Sequence, residues 1–205
     1  MGDNQKIGIF AGSFDPVHQG HVDFALAAVE VAELDKVYFM IESQPRHKAG
    51  ITHLAHRLAM LKITLKHHTS LAILDFPDRQ FSVAKTLPRL NQKFKEDELF
   101  LIIGSDVLDH LPAWPLVDNL MQRMNLIIGL RDKASIVEVE AKIQQLPNGP
   151  DQVIALQSPA SDLSSRIIRE DLFNGRTVKG LDQDVLSYTK DNWLYASPSN
   201  SNSAS

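Results

Sequence analysis

The chain has no cysteine among its 205 residues. That excludes a disulfide framework, thiol catalysis and the cysteine-based zinc sites. No apolar run approaches the ~20 residues that a bilayer-spanning helix needs, and the opening Met1-Gly2-Asp3-Asn4-Gln5 lacks the basic-then-apolar layout of a signal peptide. A surplus of positive charge is missing too. The formal net charge is −4, so nucleic acid and anionic membranes are not attracted globally, and any phosphate binding must come from a local cluster. The expectation is a soluble, cytoplasmic protein acting on a small anionic substrate; a homo-oligomer is compatible with this. Internal repeats and linkers are absent as well. What is present is 43% hydrophobic content, enough at this length for one domain with a sizeable core. That domain is expected over residues 1–196, with a Ser/Asn-rich tail at 197–205 expected to be disordered.

Strand-like and helix-like segments alternate almost throughout. Apolar and β-branched runs at 7–11, 36–41, 71–74, 99–103, 125–130 and 153–156 read as strands. Segments 22–31, 53–66, 82–94, 136–146, 164–174 and 184–192 read as helices. Pro88 is expected to kink or shorten the third of them, and Gly175 stops the fifth at its C′ position. The alternation predicts an α/β fold, a doubly wound parallel sheet with helices on both faces and further helices at the C-terminal end.

The first turn carries the densest chemistry. In Gly12-Ser13-Phe14-Asp15-Pro16-Val17-His18-Gln19-Gly20-His21 a strand runs into a turn and then into a helix whose N-terminus is expected at about Gly20-His21. Orphan N–H groups and the positive end of the helix dipole make that a place for an anion. Gly12 permits a close backbone approach, and Gly20 keeps the surface bare. His18 and His21 lie on one side of the turn, where two imidazole donors can converge on one phosphate. The same pair also suits a metal or a plain surface position. The metal is disfavoured by the missing cysteines and the lack of a third ligand nearby.

A second anion site is read at Asp162-Leu163-Ser164-Ser165-Arg166-Ile167-Ile168-Arg169-Glu170. Serines at a helix start cap it and join its free N–H groups, with Arg169 one turn further along the same side. Taken alone, the same residues make a capped surface helix with solvated arginines. A doubly wound sheet brings this end of the chain and the first turn to one crevice. Between the two, Lys48 in Ser43-Gln44-Pro45-Arg46-His47-Lys48 can reach a phosphate as a point charge or remain solvated. Asp106 in Ile103-Gly104-Ser105-Asp106 offers a carboxylate to ribose hydroxyls. Trp114, in a polar turn after Pro112, offers an indole to an aromatic base, a core position being the alternative.

As one string, the first motif resembles the (T/S)-F-D-P-x-H-x-G-H signature of the nucleotidylyltransferase superfamily, which joins a nucleoside triphosphate to a phosphorylated acceptor and releases pyrophosphate. Ser164 to Arg169 resembles its C-terminal I-S-S-T-x-I-R motif. With the closing segment Leu181-Asp182-Gln183-Asp184-Val185-Leu186-Ser187-Tyr188, similar to an L-P-x-x-V-x-x-Y-I helix, the set resembles bacterial nicotinate-nucleotide adenylyltransferases from about Lys6 to Tyr195. The resemblance implies transfer of AMP from ATP to nicotinate mononucleotide in NAD biosynthesis, giving the deamido dinucleotide and pyrophosphate, with Mg²⁺ accompanying ATP. It implies catalytic roles for His18, His21, Lys48 and Arg169. It assigns ATP binding to Gly12, Ser13, Phe14, Gly20, Gly104, Asp106, Arg131, Ser164 and Ser165 beside them, and acceptor binding to Ser43, Lys48, Phe81, Ser82 and Trp114. Five positions depart from the family pattern. Arg166 stands for Thr, Phe81-Ser82 for Tyr-Thr, Arg46 for a second proline, and Asp132 for the proline after Arg131. The alternatives are a different phosphorylated acceptor, such as nicotinamide mononucleotide or phosphopantetheine, or a non-catalytic nucleotide sensor.

Overall fold

Ile7, Ile9, Leu99, Leu101, Leu126 and Ile128 are buried in one apolar cluster, while Val37, Phe39, Phe100, Ile102 and Ile127 are buried in another. Successive side chains of a strand point to opposite faces, so strands apolar at both phases need a sheet that is covered on both sides. The computed structural model describes residues 4–45, 50–130, 136–146, 148–157 and 163–197, and it meets that need. In chain order its elements are β1 (Lys6–Gly12), α1 (Gln19–Ala32), β2 (Lys36–Ile41), α2 (Leu54–Leu65), β3 (Leu71–Ile73), α3 (Val83–Lys93) and β4 (Glu98–Gly104). They continue with α4 (Val117–Met121), β5 (Met124–Leu130), α5 (Ile136–Ile143), β6 (Val153–Gln157), α6 (Ser165–Phe173) and α7 (Gln183–Asp191).

The strands form one six-stranded sheet in the order β3-β2-β1-β4-β5-β6, and every pairing is parallel. Helices α3, α4 and α5 contribute Val83, Leu87, Leu90, Val117, Leu120 and Val139 to the first cluster. Helices α1, α2 and α7 contribute Val22, Phe24, Ala25, Ala28, Met60, Leu61 and Val185 to the second. The winding direction reverses between β1 and β4. In sheets of this kind the crevice opens at that switch point, outside the C-terminal ends of the strands, which here are Gly12 and Gly104.

Three local expectations are corrected. Helix α1 starts at Gln19, with His18 as its N-cap, so Gly20 and His21 belong to its first turn. Helix α3 is not shortened at Pro88 but runs on to Lys93, because buried Val83, Thr86, Leu87 and Leu90 hold it on both sides of the missing N–H. Helix α5 ends at Ile143 rather than at 146. The short helix α4 and the single 3₁₀ turns Ser105–Val107 and Leu111–Ala113 span too few residues to leave a periodic signal. Among the described residues, no helix is long and apolar enough to cross a membrane.

Candidate active site

A cavity of about 770 Å³ opens at the switch point, lined at one end by Gly12, Ser13, Phe14, Asp15, His18, His21, Ser164, Ser165, Arg166 and Arg169. Glu42, Phe81, Gly104, Asp106 and Trp114 line it elsewhere. The two anion sites read from opposite ends of the chain therefore share one hollow.

At the turn after β1, Gly12 lines the cavity and leaves room for the Phe14 ring, from which a Cβ there would stand 3.0 Å. Phe14 has a left-handed backbone, φ +47°, at a cost of about 1–2 kcal/mol for a residue with a side chain. Burying its ring, only 2% exposed and edge-on to Phe10 at 5.5 Å, offsets this with about 1.5–3 kcal/mol. The ring in turn packs on His21, with centroids 5.1 Å apart.

The imidazoles of His18 and His21 lie face to face, 3.8 Å between centroids and inclined by 34°. The His18 N–H donates to Nδ1 of His21 at 3.2 Å, which leaves the proton of the neutral His21 ring on Nε2. His21 thus closes the start of α1 with Nδ1. The Gln19 N–H donates to the carbonyl of Gly180 at 2.7 Å, so part of the donor supply at this helix end is spent on the protein. Gly180 has φ +71°, a conformation that glycine adopts without strain.

Beneath the turn lies Arg57, fully buried. Its guanidinium donates to four carbonyls: Nε to Thr52 at 2.7 Å, Nη1 to Ser13 at 2.7 Å and Glu42 at 2.8 Å, and Nη2 to Ser43 at 3.1 Å. One side chain therefore clamps the ends of β1 and β2 together. Burial pulls its pKa below the ordinary arginine value, while Asp15 nearby raises it. Asp15 is also buried. It accepts from the Thr52 N–H at 3.2 Å and from the Tyr195 hydroxyl at 2.6 Å. Burial first, and the Asp15 carboxylate second, push the Tyr195 phenol well above the ordinary tyrosine range, so it remains a donor.

Helix α6 docks onto the same turn through its own motif. Ser164 caps the helix, its oxygen accepting from the Ile167 N–H at 3.2 Å. The Ser165 hydroxyl donates to the Pro16 carbonyl at 2.9 Å, and Nη1 of Arg169 donates to the Asp15 carbonyl at 2.6 Å. Arg169 also lines the cavity, and its guanidinium has further donors beyond the one given to Asp15. Arg166 sits at the rim, mostly exposed, and pairs with Glu170 at 3.7 Å along the helix.

Not every candidate residue reaches the cavity wall. Gly20 is buried inside the first turn of α1, so it leaves no bare surface. Ser43 is held back by its carbonyl bond to Arg57. Ser82 is the N-cap of α3, and its N–H donates to Oγ1 of Thr86 at 3.0 Å. Lys48 and Arg131, with the departures Arg46 and Asp132, lie outside the described residues. Phe81 and Trp114 do meet, their ring centroids 6.0 Å apart, and Trp114 is half-buried. The sequence reading missed Arg57, Asp15, Glu42 and Tyr195. Asp15 stands within the first motif, and Arg57 leaves a local trace as a charge on the Leu54, Leu58, Leu61, Leu65 stripe of α2.

Comparison with known proteins follows from this geometry. Residues 9–171 match the cytidylyltransferase-like family model. The chain is 32% identical to the nicotinate-nucleotide adenylyltransferase of Bacillus subtilis, over 94% of this chain and 100% of that protein. It is 32% identical to a probable nicotinate-nucleotide adenylyltransferase of Thermomicrobium roseum, over 85% of this chain and 83% of the relative. Among solved structures, the Plasmodium falciparum nicotinic acid mononucleotide adenylyltransferase complexed with NaAD superimposes with a TM-score of 0.79 at 18% identity, covering 94% of this chain and 98% of that one. At that identity the superposition speaks for the fold.

Proposed function

The chain belongs to the cytidylyltransferase-like family, alongside the nicotinate-nucleotide adenylyltransferases, and on that premise we propose that it transfers AMP from ATP to nicotinate mononucleotide. The products are the deamido dinucleotide of NAD biosynthesis and pyrophosphate. The observation that carries this reading is the convergence of His18 and His21 with Ser164, Ser165 and Arg169 on one cavity.

The chemistry follows from what those groups can do. A phosphate oxygen of the acceptor attacks the α-phosphorus of ATP, and the bond from that phosphorus to the bridging oxygen breaks, releasing pyrophosphate with the electron pair. The acceptor phosphate is already ionised at neutral pH, so no protein nucleophile or strong base is required. Alignment and stabilisation of the charge gathering on the leaving group do the work. The Nε2–H of His21, the imidazole of His18 and the guanidinium of Arg169 supply donors on the phosphate side. Arg57, the Ser165 hydroxyl and Asp15 keep those donors in register. Lys48 and Arg131 are proposed to join them from the flanking loops.

Among the described residues, no three His, Asp or Glu side chains converge into a cation cage. The donor set suits Mg²⁺ that arrives chelated by the triphosphate as part of the substrate, where it neutralises phosphate charge. Asp106, exposed at the end of β4, is proposed to take ribose hydroxyls, and the Phe81–Trp114 side to take the flat ring of the acceptor. A place in the cytoplasm belongs to the same proposal.

Pyrophosphate release, measured with ATP and a panel of phosphorylated acceptors, tests this reading. Turnover with a pyridine mononucleotide is expected. Turnover only with phosphopantetheine or a polyol phosphate, or ATP binding with no turnover for any acceptor, would overturn it.

A further inference from the structure

Among the described residues, three carboxylates line the cavity, those of Asp15, Glu42 and Asp106. Asp15 is turned toward Tyr195 and Thr52, and Asp106 stands in the open at the end of β4. Glu42 is different. It follows β2, and its Oε1 accepts the backbone N–H of Phe81 at 2.8 Å. Its own carbonyl is fixed by Arg57, and the next turn is stitched to the segment before Phe81 by the Gln44 N–H on the Arg79 carbonyl at 2.8 Å. The carboxylate is therefore held in place from both ends.

Its surroundings locate it relative to a bound acceptor. Among the described residues, the phenylalanine and tryptophan side chains that line the cavity are Phe10, Phe14, Phe81 and Trp114. Phe10 and Phe14 pack on His21 and so belong to the phosphate end. The proposed reaction places the planar ring of the acceptor beside half-buried Trp114, and the Glu42 carboxylate is bonded to the backbone of Phe81, whose buried ring lies 6.0 Å from that indole.

We propose that Glu42 is a specificity-determining residue that disfavours a carboxylate and favours a carboxamide on the pyridine ring of the acceptor. The inference rests on the transfer reaction proposed above. A carboxylate only accepts hydrogen bonds, whereas a carboxamide also donates two. An incoming ring carboxylate must dislodge Glu42 from the Phe81 N–H or lie beside its charge, and like charges brought together at an interface are strongly disfavoured. A carboxamide can donate to Glu42 where it stands. This chain should then discriminate less in favour of the nicotinate form than an otherwise equal site with a neutral residue at position 42.

The test is kcat/KM for nicotinate and for nicotinamide mononucleotide at saturating ATP, in the wild-type chain and in Glu42→Gln. The glutamine oxygen can still accept from the Phe81 N–H, so the variant removes charge and little else. The nicotinate-to-nicotinamide ratio is expected to rise by on the order of tenfold or more, carried mainly by a lower KM for the nicotinate form. An unchanged ratio in an active enzyme overturns the inference, as does an equal loss for both acceptors, which would place Glu42 on a part that they share. Turnover of neither mononucleotide by the wild-type chain overturns the transfer reaction itself, and this inference with it.

Discussion

The phenol oxygen of Tyr195 lies 2.6 Å from Oδ1 of Asp15, 180 residues earlier in the chain. The same Asp15 accepts the Thr52 N–H with its other oxygen, and its backbone carbonyl accepts Arg169. One buried residue of the first turn thereby ties together the approach to α2, helix α6 and the segment after α7. Helix α7 is itself seated on α2 by the hydrogen bond between Tyr188 and His56 at 2.9 Å. The turn after β1 is therefore braced by the far end of the chain.

Removing the hydroxyl with Tyr195→Phe leaves Asp15 short of a partner. Hydrogen bonds to charged groups contribute about 1.5–3 kcal/mol. A stability loss of that size is expected in urea unfolding, together with a raised KM for ATP because Arg169 hangs on the same residue. A variant as stable as the parent would remove Tyr195 from this role.

The same phenol gives an alkaline signature. Its folded pKa is raised by burial and by Asp15, so the folded state keeps its proton where the unfolded chain releases one. Its contribution is fully present below the unfolded value near 10. It is lost progressively as pH climbs above that value toward the folded pKa. The stability difference between wild type and Tyr195→Phe is expected to be constant from neutral pH to about pH 9 and to shrink above about pH 10. A difference that grows with pH would contradict the assignment.

Arg57→Met strips donors from four carbonyls at the ends of β1, β2 and the loop before α2. Breaking a buried charged network of this kind costs about 3–5 kcal/mol, to be read from the urea midpoint at constant slope. Arg57→Lys keeps the charge but not the planar fork, and is expected to recover only part of the loss. Full recovery by lysine would mean that charge, rather than geometry, is what the turn requires.

His21→Asn separates the two nitrogens of that ring. The asparagine oxygen can accept the His18 N–H in place of Nδ1, while the Nε2 donor is gone. The expected result is an unchanged melting temperature with kcat lowered by about 10²–10³, the usual effect of losing one preorganised donor. Near-normal kcat would take His21 out of the phosphate site.

The sheet was legible because its signals are local. Each strand is a short apolar run with its own turn, and the six runs at 7–11 through 153–156 correspond one to one with β1 to β6. The shared crevice was legible through topology, since parallel winding sends Gly12 and Gly104 to one edge. Less was readable where an interaction replaces a pattern. Gly12 serves the Phe14 ring and Ser165 serves a backbone carbonyl. Neither use differs in sequence from the ligand contact that the same residue could make.

By itself, then, the sequence determined the α/β alternation, the order of the strands along the chain and the two segments that meet in the cavity, because periodicity, helix caps and turn residues act within a few positions. Only the tertiary structure decided which donors still face the cavity and which are spent on the protein. That outcome depends on contacts such as Arg169 to Asp15 and Tyr195 to Asp15, across 154 and 180 positions. No local pattern encodes them, because the partners become neighbours only once the sheet has wound in both directions and α7 has closed over α2.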